Sequence, residues 1–588
     1  MARKKSVLII AMSGLLCAYG ILGLYRNSFA QPLTGKCGDG MCDDFERTRS
    51  NLCPQDCAPE KSTESSSIQE SVAAPIGKCG DTICDNFEKA NPGACPADCA
   101  SENTEKISPI IANVTVDYAK ELGRFSPYVF GAIASPYFNS KGYELSKDAG
   151  FKIIGINAPS VPQDPNDPKQ YDFSEIDQAV KAAIDNGLEP LIIFFTDNKK
   201  PSNLDDYGIY AQNVAKHLTQ GWNNGYNYEI KVFRFGNEPD NFGFWQDTQE
   251  NWFAMYVAWA KALKSVNKNF ILDGLALMSP RVGSDGGLPS FDDTDKVSDW
   301  ITNFLAYVKK NNAYVDLVSI HAYAPLPYFG FYDNYRLLNN ELEKHPNLSN
   351  IYGTPRAAND EWNLLLGDFW SGFYGKQFDT AWAASGRVNS LISMIEQGVW
   401  LSIPMFGTFN DTREGKGEGG CHDFLLVDCN AQGKPSYYAF QGFNQLSGTN
   451  RVETTGTDHM NLAAIAGKKN NEVVIVISNH DIRKYMEKYE GGIQDGKSPA
   501  PEKSSPAWFE YNAYVAKYGK PKVYNNYTLT LNNLPWSSSD QVTYERYIVD
   551  DNKKLELTET KTMPGGSTLT FTKDISAPSV EVVKVYVK

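Results

Sequence analysis

From about residue 128 to 445, short apolar runs alternate with longer stretches that are apolar at every third or fourth position. The runs lie at 128–134, 151–157, 188–196, 230–236, 270–277, 315–321, 356–361 and 399–406. Most are continuously apolar, as strands buried on both faces of a parallel sheet require. Between them, 174–186 places Ile176, Ala179, Val180, Ala183 and Ile184 on one helical face, and Gly187 follows as a stop. The stretch 250–266 repeats the pattern with Trp252, Phe253, Tyr256, Val257, Ala260 and Leu263. Eight strand–helix units in succession predict an α/β chain folded as a (β/α)8 TIM barrel. An open doubly wound sheet would carry a glycine-rich loop after its first strand. The glycine-rich run here, 415–420, follows the eighth. Beyond about 455 the helical period gives way to β-branched alternation at 472–478, 527–531, 542–549, 567–572 and 580–587. That predicts a C-terminal β-sandwich, to which 113–117 is expected to add a strand. Residues 482–524 form a polar insertion with no assigned place.

The N-terminus changes the picture. Arg3, Lys4 and Lys5 precede an apolar run at 6–24, and Ser28-Phe-Ala30 offers a small-x-small cleavage site. This reads as a secretory signal over 1–30, either cleaved or kept as an anchor. The chain has 11 cysteines, and setting Cys17 aside leaves an even ten. Cys37, Cys42, Cys53 and Cys57 recur 42 positions later as Cys79, Cys84, Cys95 and Cys99. Two small Cys-rich repeats, 35–58 and 77–100, are therefore expected, each stapled by two disulfides because so short a unit builds no core. The cysteine spacing fits zinc poorly. The repeated acids (Asp39, Asp43, Glu46 and Asp56; Asp81, Asp85, Glu88 and Asp98) are either a calcium site or a solvated surface. Linkers at 59–76 and 101–109 complete an exposed arm, the barrel occupies 110–450 and the β-sandwich 451–588. Cys421 and Cys429 are left to close the glycine-rich loop.

The net charge is −14, of which residues 31–107 carry half, with 14 acids against 7 bases. An acidic chain argues against nucleic acid as a partner, since phosphate binding needs a basic face. The expected localisation is secreted or cell surface, with cell-envelope attachment through the N-terminal arm as one expected use of it.

Candidate chemistry sits at two predicted strand ends. The fourth strand ends in Arg234-Phe-Gly-Asn-Glu-Pro-Asp240 and the seventh in Asn359-Asp-Glu-Trp-Asn363. In this barrel, functional groups gather at the C-terminal ends of the strands. Glu238 and Glu361 would thus converge on one cleft. Two carboxyls in one cleft are what glycoside cleavage requires: one protonates the leaving oxygen, and the other attacks the anomeric carbon or activates water. His-Glu-x-x-His and Gly-x-Ser-x-Gly are both absent, so metalloprotease and esterase readings have no support.

Asn237-Glu-Pro239 and Asp360-Glu-Trp-Asn363 resemble the acid/base and nucleophile signatures of the retaining glycoside hydrolases of clan A. Within the clan the likeness is closest to family 39, the β-xylosidase and α-L-iduronidase family, with families 51 and 79 as neighbours. Tyr171-Asp-Phe-Ser-Glu-Ile-Asp177, leading to Asn186-Gly-Leu-Glu-Pro190, resembles a helix and strand entry of family 39, and Ser319-Ile-His-Ala-Tyr323 its sixth-strand motif. The resemblance covers about 110–588 and leaves out the Cys repeats. It implies a carbohydrate substrate, no cofactor, Glu238 as acid/base and Glu361 as nucleophile. It implies further that Asn237 contacts the sugar 2-hydroxyl, Tyr323 donates to the nucleophile and His321 shapes the sugar subsite. One departure stands out. Many clan members end the eighth strand with a Trp under the sugar, whereas this chain has Met405-Phe-Gly-Thr-Phe-Asn410, with Trp400 five residues earlier. Either Phe406 replaces that platform or the subsite differs, and Phe242, Phe244, Trp245, Trp370, Phe373 and Tyr374 are either sugar-stacking or loop-packing residues. The alternative to a hydrolase is a catalytically silent glycan-binding or structural surface protein.

Overall fold

The computed structural model describes residues 110–587 except 134–139, 282–295, 325, 365–375, 406–424, 429, 483–513, 517, 520 and 523. The expected signal segment, both Cys-rich repeats, their calcium site and the Cys421–Cys429 pair lie outside the described residues. The chain divides into Met1–Pro109 and Ile110–Lys588, and the second unit is described here.

After β1 (Ile110–Arg124), eight strand–helix units follow in order. They are β2 (Gly131–Ile133) with α1 (Ser140–Asp148), β3 (Ile153–Asn157) with α2 (Ser174–Asp185), β4 (Glu189–Phe194) with α3 (Leu204–Gln220), and β5 (Val232–Phe235) with α4 (Gln249–Val266). Next come β6 (Ile271–Leu277) with α5 (Asp299–Lys310), β7 (Leu317–Ile320) and its short continuation β8 (Ala322–Ala324) with α6 (Asn334–Leu342), β9 (Arg356–Leu364) with α7 (Ala381–Glu396), and β10 (Leu401–Pro404) with α8 (Pro435–Phe443). All eight expected runs carry a strand. The first starts later than its apolar run, because Pro127 opens a 3-10 turn through Val129. The strands pair in parallel in the order β10-β9-β7-β6-β5-β4-β3-β2. The two ends of this path come together at Gly131, where a Cβ would lie 2.3 Å from the Ser402 carbonyl oxygen. The result is a nearly closed eight-stranded TIM barrel.

The period of two explains its layers. Ile154, Ile192, Phe233 and Leu272 face outward into the core shared with the helices. Ile153, Leu191, Val232, Ile271, Leu317, Ala358 and Leu401 face inward as a separate apolar floor. Two residues further along the same inward faces, the floor gives way to Arg234, Asp273 and Asp360, all buried.

The β-rich part is one nine-stranded path. Its strands are β11 (Asn450–Thr455), β12 (Leu462–Lys469), β13 (Glu472–Asn479), β14 (Tyr524–Asn532), β15 (Gln541–Val549), β16 (Lys554–Pro564), β17 (Leu569–Asp574), β18 (Ser579–Val587) and β1. β1 joins it by pairing antiparallel with β11 and parallel with β14. The two edge strands of the path approach each other, with Lys573 of β17 paired to Glu559 of β16 at 2.5 Å. On β12 the alternation serves two cores: Leu462, Ala464 and Ala466 face the sheet's own interior, while Ala463 and Ile465 face the barrel's helices.

Candidate active site

Glu238 follows β5 in a backbone conformation that non-glycine residues rarely adopt, with φ of 40°. Gly236, at φ 76°, turns the chain away from the strand, and a Cβ there would sit 2.2 Å from the Trp252 ring. The Glu238 N–H then donates to the Ala276 carbonyl at 2.8 Å, within a β6 bulge whose Leu275 and Ala276 also have positive φ. Three left-handed residues in one place are the kind of strain that collects at functional sites.

β9 does not end at Glu361 but runs on to Leu364. Its register accounts for the placement of two carboxylates. Between Asn359 and Trp362 it advances three positions while β10 advances two, from Ser402 to Pro404. From Ala358 to Trp362 it advances four while the β7–β8 edge advances three, from Ser319 to Ala322. One extra residue therefore sits in β9 at Asp360–Glu361. In a regular strand these neighbours would point to opposite faces; the bulge lets both reach His321.

The five expected residues come together. The Tyr323 hydroxyl donates to Glu361 Oε1 at 2.7 Å. His321 places Nδ1 2.8 Å from Glu238 Oε1, and its Nε2 lies 3.6 Å from Asp360 and 4.0 Å from Glu361 Oε2. One atom each of Glu238, His321 and Glu361 lie within 4.8 Å of one another. Asn237 Oδ1 accepts from Arg234 at 2.9 Å. All three of Asn237, Glu238 and Glu361 are buried.

Arg234, Asp360 and Asn241 complete the arrangement, and sequence reasoning gave them no role. Arg234 ion-pairs with Asp360 and approaches His321 Nε2 at 3.1 Å. The available signal was a charged residue inside each apolar strand, Arg234 between Phe233 and Phe235 and Asp360 after Ala357-Ala358-Asn359. Asn241 Nδ2 donates to Glu238 Oε2 at 3.1 Å. Nothing in the motif marks it out from its neighbours.

The charges are interlocked. Burial alone would push the His321 ring down, but the Glu361 and Asp360 carboxylates, with hydrogen bonding to Asp360 and Glu238, hold it well above the usual histidine range. Burial also opposes charge on Asp360, yet Arg234 and His321 hold its carboxyl at about 2. Glu361 goes the other way: burial and the nearby Glu238 outweigh His321, Arg234 and Tyr323 and raise it above the usual glutamate range. Burial raises Asp240 to about 7, against the Met278 N–H that it accepts and with Glu238 adding to the rise. Glu238, His321 and Glu361 form the one close grouping with metal-ligand donor types among the described residues. His321 Nδ1 engages Glu238 Oε1 and the Tyr323 hydroxyl engages Glu361 Oε1, contacts that suit proton transfer.

Of the aromatic residues, Trp245 is buried against Trp252 and donates to the Thr248 carbonyl, so it packs the loop. Phe242 is 74% exposed after β5, and Phe195, at the C-terminal end of β4, is 42% exposed with its ring 5.8 Å from the Arg234 guanidinium. Trp400 bonds to the Tyr352 hydroxyl before β10 begins, at the opposite end of the barrel. Trp370, Phe373, Tyr374 and Phe406 lie outside the described residues.

Comparison with known proteins gives a consistent result. Glycosyl hydrolases family 39 matches residues 159–350, a span that includes Glu238, His321 and Tyr323 but stops before Glu361. The RET Cysteine Rich Domain matches residues 25–77. A β-xylosidase of Caldicellulosiruptor saccharolyticus is 24% identical over 418 residues, covering 63% of this chain and 79% of that protein. A β-xylosidase of Geobacillus stearothermophilus is 27% identical over 230 residues, covering 37% of this chain and 41% of that one. Among solved structures, a glucosidase from Croceicoccus marinus superposes with a TM-score of 0.60 at 18% identity, over 81% of this chain and 99% of its own, and so shares the fold. With two β-xylosidase relatives and a family 39 match that spans the third to sixth barrel strands, the chain is a glycosidase of clan A, close to glycoside hydrolase family 39.

Proposed function

We propose that the protein is a secreted, retaining glycoside hydrolase that works by double displacement, with Glu238 as acid/base and Glu361 as nucleophile. One observation carries this reading: a Glu238 oxygen and a Glu361 oxygen lie within 4.8 Å. Retaining pairs stand about 5–5.5 Å apart, and inverting pairs about 6.5–9.5 Å, to admit a water. The division of roles is the one that the Asn-Glu-Pro and Asp-Glu-Trp-Asn motifs imply, and Tyr323 supports it on the side of Glu361. Glu361 receives the Tyr323 hydroxyl and faces the His321 ring, which favour its ionised form. In the first step Glu361 attacks the anomeric carbon while Glu238 protonates the departing oxygen. In the second, Glu238 takes a proton from water, which displaces Glu361. Asn237, whose Oδ1 accepts from Arg234, would contact the 2-hydroxyl. His321, which engages Glu238, would shape the subsite from beside the acid/base.

β-Xylosides are the first substrates to try, since both relatives carry that name, with β-glucosides as the comparison. The N-terminal apolar run and the paired cysteine count support secretion, which finding the processed chain outside the cell would check. The roles are tested with azide and an activated aryl glycoside. Glu361→Ala should give a glycosyl azide of inverted configuration. Glu238→Ala should still form the glycosyl-enzyme, stall, and be rescued by azide with retained configuration. The same stereochemistry from both variants would refute the assignment.

A further inference from the structure

Asn241 is buried three residues beyond Glu238, and its side chain is pinned from both ends. Its Oδ1 accepts from the Gly243 N–H at 2.9 Å, so the other amide atom must be the nitrogen, and that nitrogen donates to Glu238 Oε2 at 3.1 Å. Its backbone is held as firmly. The Asn241 N–H donates to the Glu238 carbonyl at 3.0 Å, and the Phe244 and Trp245 N–H groups both donate to the Asn241 carbonyl. Trp245 is in turn wedged against Trp252, whose ring also closes on Gly236. The amide is thus a rigid donor aimed at one carboxylate oxygen, while His321 engages the other.

We propose that Asn241 is a positioning residue for the acid/base, fixing the Glu238 carboxylate and stabilising the charge that it gains when it releases its proton. The proposal rests on Glu238 being the acid/base. A neutral amide that can only donate at that oxygen favours the ionised form. It therefore strengthens the acid in the glycosylation step and holds the conjugate base in line for water in the next. The other titratable or charged groups facing Glu238 among the described residues are His321 from the β7–β8 junction, Glu361 and Asp360 from β9, Arg234 from β5 and Asp240 from its own loop. None of them reaches Oε2 in place of the amide.

The test compares wild type, Asn241→Ala, Asn241→Asp and Glu238→Ala in the pH dependence of kcat/KM on aryl β-xylosides of graded leaving-group ability. Asn241→Ala removes the donor without adding a charge and so carries the test, while Asn241→Asp keeps the acceptor for Gly243 but sets a carboxyl against Glu238 Oε2. The expected result is that the alkaline limb moves to higher pH in both Asn241 variants, furthest in Asn241→Asp. The rate on the poorest leaving groups should fall on the order of ten- to a hundredfold, the loss expected for a hydrogen bond to a charged group, with a smaller loss on activated ones. An unmoved limb in Asn241→Ala overturns the role given to Asn241. If the alkaline limb survives in Glu238→Ala, the failure belongs instead to the reading of Glu238 as the acid.

Discussion

At the residue scale, the site works through opposed pressures on neighbouring carboxyls. Glu361 is raised by burial and by Glu238, and the Tyr323 hydroxyl works against that rise. Tyr323→Phe removes a hydrogen bond to a charged group, worth about 1.5–3 kcal/mol, so kcat should fall roughly ten- to a hundredfold. The sign of the pH effect follows. Glu361 acts in its ionised form, and losing Tyr323 raises its pKa further, so the acidic limb of kcat/KM should move to higher pH. Steady-state kinetics between about pH 4 and 7 would show it. A Tyr323→Phe enzyme with an unshifted limb would mean that the hydroxyl does not govern Glu361.

At the element scale, the ends of β5, β6 and β9 are irregular, and each irregularity aims a side chain. Gly236 needs its positive φ, and the Trp252 ring leaves no room for a Cβ. Gly236→Ala combines overpacking with left-handed strain, an expected destabilisation of about 2–4 kcal/mol. Because Gly236 leads directly into Asn237 and Glu238, the folded fraction of the variant should also lose activity. Denaturant unfolding measures the first effect, and a change within about 0.5 kcal/mol would show that the turn relaxes freely.

At the scale of the whole molecule, barrel and sheet share a core through α7. Its residues from Ala381 to Ile395 are all buried, because it lies against the barrel on one side and β12, β13 and β18 on the other. His480, at the end of β13, is locked into this junction. Its Nδ1 lies 3.0 Å from the Ser385 hydroxyl, its ring is 4.6 Å from the Trp382 ring, and burial pushes it down to about 3. The unfolded chain binds a proton at this histidine below about pH 6.5, while the native protein refuses it until about pH 3. Stability present above pH 6.5 is therefore lost as pH falls, by about 2 kcal/mol between pH 7 and 5. His480→Asn should remove that share of the slope, seen by comparing denaturant unfolding of the two proteins at both pH values. Parallel slopes would show that His480 takes up its proton in the folded state.

Much of the plan follows from sequence because it depends on local periodicity. Continuous apolar runs must be covered on both faces, here by helices on one side and the barrel interior on the other. Every run carries a strand, β9 alone extending past its run, and Glu238 and Glu361 fall at or just past the ends of theirs. The nine-stranded path was less legible. Its alternation announces strands, but not that β1 would pair with both β11 and β14, since pairing joins segments hundreds of residues apart. Tertiary structure alone decided the finer site. The extra residue in β9 turns Asp360 and Glu361 to the same side, which no period of two predicts. Arg234 on β5 and Asp360 on β9 meet although two strands lie between theirs, because both side chains point into the barrel. Asn241 reaches Glu238 because the turn after β5 folds back on itself. Periodicity is a property of a few neighbouring residues, whereas a charge network is set by distances across the barrel mouth, which exist only once the chain has closed.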